Sequence, residues 1–127
     1  MKKLLMMALM AVCSLVLSFS ANAQQLPKSE LATFVAEINK TLPQRIDQDM
    51  VFSKVQLLND GNQIDFVINM NPTEVTSDEF ISACKTMTKQ EIRDYFGPEF
   101  KQMVEMLPVP VSIFFVFKDG KTYRVMY

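Results

Sequence analysis

Residues 51–70 read VFSKVQLLNDGNQIDFVINM, with apolar and polar side chains alternating on both sides of Asp60-Gly61. Period-two alternation is the mark of a half-buried strand, and Asp-Gly between two such runs is a hairpin turn signal. The pattern predicts strands over 50–58 and 63–70. A two-residue turn at Asp60-Gly61 pairs Leu57 with Ile64, Val55 with Phe66, Ser53 with Ile68 and Val51 with Met70. Those pairs gather nearly all the bulky aliphatic side chains on one face and leave Lys54, Gln56, Gln63, Asp65 and Asn69 on the other. A one-residue slip would mix the two sets, so pattern and turn agree.

Further along, residues 110–118 are dense in Val, Ile and Phe, and 121–127 return after Asp119-Gly120. A two-residue turn there would set Lys118 against Lys121. A three-residue loop with Gly120 left-handed pairs Phe117 with Lys121, Phe115 with Tyr123 and Ile113 with Val125. The second register sorts apolar from polar better and is the one expected.

Helical patterns precede each hairpin. Over 29–42, Leu31, Phe34, Val35, Ile38 and Leu42 form one apolar stripe, with Ser29 placed to cap it and Pro43 to end it. Thr76 and Glu79 make a capping box, with Val75 and Phe80 set as its hydrophobic staple. Phe80, Ile81, Cys84 and Met87 continue that helix. Thr88 and Glu91 form a second box where it breaks or kinks, and Gly97-Pro98 is expected to end it and start another. The order helix, hairpin, helices, hairpin predicts an α+β domain. Its expected sheet is four-stranded and antiparallel, built from the two hairpins, with helices on one face and the look of a tandem α-β-β repeat.

The N-terminus reads as a secretory signal peptide, residues 1–23. Lys2 and Lys3 precede an uncharged apolar run from Leu4 to Phe19, and Ala21-Asn22-Ala23 places small residues for cleavage before Gln24. The expected mature chain, 24–127, is a single domain in the periplasm or outside the cell, with no membrane anchor after cleavage. Losing Lys2 and Lys3 takes the 13 basic residues to 11 against 14 acidic ones, a net charge of −3. Such a balance lacks the basic stripe of a nucleic-acid binder.

The mature chain resembles a group of small exported bacterial proteins without an assigned activity. The matching residues are Ile38-Asn39-Lys40 with Leu42-Pro43, Asp47, and Phe115-Val116-Phe117 with Asp119-Gly120. The resemblance spans most of residues 30–124 and implies a fold and a compartment. It brings no catalytic residue with it.

The chain has no histidine, which removes His-based nucleophile systems and His-based metal sites together. Its three glycines are not spaced as a phosphate loop. Cys84 is the lone cysteine after cleavage and lies on an apolar helix face, where a buried inert thiol competes with one that bonds a partner. Asp47, Asp49, Glu74, Asp78 and Glu79 lack calcium-loop spacing, and Met103 and Met106 on one amphipathic helix read as core filling. No cofactor or metal is expected.

Two classes of function stay open. One is a non-catalytic binding protein of the cell envelope with a protein partner. The other is a small enzyme using carboxylates without histidine. For the first, the expected partner surface is the outer face of the sheet: Phe52, Lys54, Val67, Phe114, Val116, Arg124 and Met126. It mixes large apolar groups with charges where a merely solvated face would be polar. Against this stands the reading that the last strands are covered on both sides.

Overall fold

The computed structural model describes residues 26–127, apart from the side chains at 46, 47, 95–97, 99, 100 and 103. The expected signal peptide lies outside the described residues. A 3-10 turn at Lys28–Glu30 leads into α1, Leu31–Asn39. Three strands follow: β1 Gln44–Asp47, β2 Met50–Leu58 and β3 Gln63–Met70. Helices α2, Ser77–Thr86, and α3, Lys89–Met106, precede β4 Val111–Phe117 and β5 Thr122–Met126. The α+β class expected from the sequence holds. Among the described residues, no helix is long and apolar enough to cross a membrane.

The sheet differs from expectation. Among the described residues it has five strands in the order β1-β2-β3-β4-β5, and it is mixed rather than antiparallel. Both hairpins form, but β3 and β4 between them run parallel. A parallel neighbour needs a long crossover, which the segment carrying α2 and α3 supplies. Strand β1 is the additional one, pairing antiparallel with the start of β2. The halves are therefore not two copies of one unit: the first has three strands and one helix, the second two helices and two strands.

Within the first hairpin, Leu57↔Ile64 and Val55↔Phe66 pair as the turn dictates. Beyond them the register shifts. Phe52 pairs with Ile68 and Lys54 with Val67, so Ser53 is an extra residue in a bulge. The expected pairs Ser53–Ile68 and Val51–Met70 do not form. The bulge rotates Phe52 from the outer face to the inner one, where it is fully buried. The connection is a four-residue loop, Asn59–Asn62, with Asn59, Asp60 and Gly61 all at positive φ. Asn, Asp and Gly are the residues that tolerate that region.

In the second hairpin Phe115 faces Tyr123 and Ile113 faces Val125, with Gly120 at φ 92°. This is the three-residue loop that apolar sorting favours.

Among the described helices, the caps expected at Thr76 and Thr88 form, while the start of α1 and the course of α3 differ from expectation. No side chain caps α1, whose N-cap is Glu30 and not Ser29. Thr76 accepts from the Glu79 amide to start α2, and Thr88 and Glu91 close a reciprocal capping box at α3. Helix α3 continues through Pro98 instead of restarting there.

One side of the sheet carries the core. Phe52, Phe66, Ile68, Phe115 and Phe117 meet Leu31, Phe34 and Ile38 of α1 and Phe80 and Cys84 of α2. Phe80 meets Phe115 and Phe117 edge-on at 5.1 and 5.5 Å between ring centroids. Each such contact adds about 1 kcal/mol beyond the area it buries. Asn39, at the end of α1, ties the helix to β2: its amide donates to the Val55 carbonyl at 2.9 Å and accepts from the Val55 N–H at 2.8 Å. That side chain serves as a strand partner along the part of β2 that β1 does not cover.

Candidate functional site

The other side of the sheet is built from rows of paired residues. Lys54, Val67, Phe114 and Arg124 form one row across β2–β5. Gln56, Asp65, Ser112 and Met126 form the next, and Arg45, Val51, Asn69, Val116 and Thr122 the one on the far side. The helices described above contribute their buried side chains to the opposite face.

Asp65 is the centre of this face. It is the middle residue of an apolar triplet position, Ile64-Asp65-Phe66, so strand alternation turns it away from the core. Its side chain is nevertheless fully buried, covered by its neighbours on the face. Four hydrogen bonds satisfy the carboxylate. Gln56 Nε2 donates to Oδ2 at 2.8 Å and Ser112 Oγ to Oδ1 at 2.6 Å. Arg124 donates twice, Nε to Oδ1 at 3.2 Å and Nη2 to Oδ2 at 3.1 Å. Gln63 completes the network by donating to Ser112 Oγ at 2.8 Å. A buried carboxylate without such partners would cost several kcal/mol.

Arg124 reaches Asp65 by lying across Phe114. Its guanidinium carbon sits 4.1 Å from the ring centroid, a cation–π contact. Phe114 and Val116 are half-buried, Val67 is buried, Lys54 is exposed, and Met126 is 45% exposed. Of the residues expected to form the partner surface, the structure brings Lys54, Val67, Phe114, Val116, Arg124 and Met126 onto this face. It places Phe52 in the core, for the reason the bulge supplies. Strand alternation alone places Asp65 and Arg124 on this face but does not link them. Ser112 is not among the residues expected on this face; its signal in the sequence is a lone hydroxyl between Val111 and Ile113 in an otherwise apolar strand.

Two clefts open at the end of the sheet where β3 and β4 both terminate. The larger, of about 600 Å³, lies between the segment 71–79 and the β4–β5 turn. Its carboxylates are Glu74, Asp78, Glu79 and Asp119. Most of them hold structure. Asp78 pairs with Lys121 at 2.6 Å, Thr76 donates to Glu79 at 3.2 Å, and Ser77 donates to Asp119 at 2.5 Å. The Ser77 hydroxyl, followed by the Lys121 amide, lowers the Asp119 pKa below its ordinary 3.8. A carboxylate so held stays ionised and is a poor proton donor at neutral pH. The smaller cleft, of about 380 Å³, borders the open face itself and is lined by Arg45, Val51, Asn69, Val116 and Lys118 among others.

Cys84 is buried on α2 among core residues, and desolvation pushes its thiol up to about 11. Among the described residues no three acidic or thiol groups stand together as a metal site. The chain matches no protein-family model, no curated protein and no solved structure.

Proposed function

We propose that the chain is an exported, non-catalytic binding protein of the bacterial cell envelope, and that the open sheet face is its binding surface. The observation that supports this most is the Asp65–Arg124–Phe114 arrangement. It holds the Phe114 ring and the Arg124 guanidinium in place on a part-apolar surface, with the Asp65 carboxylate satisfied within the sheet. A surface of this kind is preorganised, so little side-chain entropy is lost when a partner covers it. The export reading rests on the sequence before Gln24. The carboxylate enzyme is the weaker reading, because the acidic cleft uses Asp78, Glu79 and Asp119 to hold its own walls together.

Capture of partners from envelope extract by the exported chain tests the reading when variants are compared. Phe114→Ser and Lys54→Glu are expected to abolish capture. Phe114→Ser should cost about 2 kcal/mol of stability, since the ring is half-buried and carries Arg124. Glu37→Lys, on the helix side, should capture as the unaltered chain does. Capture that survives both face variants and is lost with Glu37→Lys contradicts the proposal.

A further inference from the structure

The open face differs in charge from the rest of the chain. Arg45, Lys54 and Arg124 occupy its rows, and Lys118 follows β4 at its edge, lining the small cleft with Arg45. Against them, among the described side chains, stands one carboxylate within the rows, Asp65, and it is already bonded to Arg124. Asp49 lies at the rim and accepts from the Thr73 hydroxyl at 3.3 Å. Lys54 and Lys118 are exposed and make no ion pair among the described residues. Yet the whole chain has 14 acidic residues to 13 basic ones. The helix side is mixed: Glu37, Asp78, Glu79, Glu91, Asp94 and Glu105 are exposed there beside exposed Lys40, Lys85, Lys89, Arg93 and Lys101. The excess of cations over carboxylates is thus a property of the open face, while the helix side carries both signs.

The chemistry between the cations narrows the partner. Val51, Phe114 and Val116 are half-buried, and Asn69 is an exposed amide among them. A bilayer would require apolar side chains that project beyond the charges, whereas here Arg124 lies over Phe114. A nucleic acid would require a denser basic stripe. An extended polypeptide with acidic and apolar side chains fits all three features, and complementary charge of this kind speeds and orients association.

We propose that the open face docks an acidic, extended peptide segment of a partner protein, its carboxylates meeting Arg45 and Lys54 on β1 and β2 and Lys118 at the end of β4. This rests on the reading that the sheet face is the binding surface. The test is a nitrogen-15 amide titration of the exported chain with a synthetic peptide alternating Glu and Ala, alongside the same peptide with Gln for Glu. The expected result is shift changes confined to residues 45–56, 65–69 and 114–126, with affinity falling about tenfold or more between about 0.02 M and 0.5 M salt. Lys54→Glu with Lys118→Glu should weaken binding by a similar factor while leaving the remaining amide spectrum in place. Equal binding of the Gln peptide to the same face would overturn the acidic assignment and leave the binding face standing. Shifts confined to the helices would overturn both. Absence of binding by the acidic peptide, or saturable binding only to phosphatidylglycerol vesicles, would overturn the peptide assignment.

Discussion

Asp65 shows how one residue couples the fold to the proposed function. Arg124 is 36% exposed while the carboxylate it serves is fully buried, so the two substitutions are unequal. Arg124→Ala leaves Gln56 and Ser112 in place and should cost about 2 kcal/mol, the scale of hydrogen bonds to a charged group. Asp65→Ala removes the acceptor that Gln56, Ser112 and Arg124 share, leaving buried donors unsatisfied, and should cost about 3 kcal/mol or more. Urea unfolding of the two variants checks the order; a larger loss for Arg124→Ala would contradict it. Phe52 has the opposite assignment. As a core side chain its replacement by Ser should cost about 4 kcal/mol, clearly more than Phe114→Ser. Cys84, with its thiol held near 11, should react with a thiol reagent slowly at neutral pH in the folded protein and at the ordinary rate in denaturant. Rapid labelling of the folded chain, or a covalent dimer on a non-reducing gel, would contradict its burial.

At the scale of elements, local signals were readable and non-local ones were not. The Asp-Gly turns, the alternation beside them and the Thr76 and Thr88 caps are encoded within a few residues of each other, so they could be read directly. The pairing of β3 with β4 brings Ile64 beside Val111 across the whole helical segment, and no turn signal reports on it. One hint was present: Val111–Phe117 is apolar at nearly every position, as a central strand with a parallel neighbour tends to be. The bulge at Ser53 escaped for a related reason. Strict alternation over 51–58 places Phe52 and Lys54 on the same face, and only the packing of Phe52 against Ile68 and Phe66 separates them. This gives an unusual expectation for a deletion. Removing Ser53 restores a regular strand with Phe52 inward and Lys54 outward, so stability should change by about 1 kcal/mol or less. Removing Gln56 instead inverts every residue before it and should unfold the domain. Thermal melts of the two deletions decide the matter, and equal damage from both would contradict the bulge.

For the whole molecule, the mixed sheet divides the chain into two unlike sides. One side holds the aromatic core beneath α1 and α2. The other is a face rich in cations, held together by Asp65, Arg124 and Phe114. The face was legible in part: the alternation named Lys54, Val67, Phe114, Val116, Arg124 and Met126, while the link between Asp65 and Arg124 depends on a diagonal across three strands that no local pattern specifies. The central claim is that this face is covered by a partner in the envelope. Hydroxyl-radical footprinting reads it directly, by comparing oxidation of Met126 and Phe114 in the purified chain and in intact envelopes. The account predicts that both residues are protected in the envelope, with half-buried Met87 near α2 oxidised equally in the two samples. Equal oxidation of Met126 and Phe114 in both, or protection confined to the helix side, would contradict it.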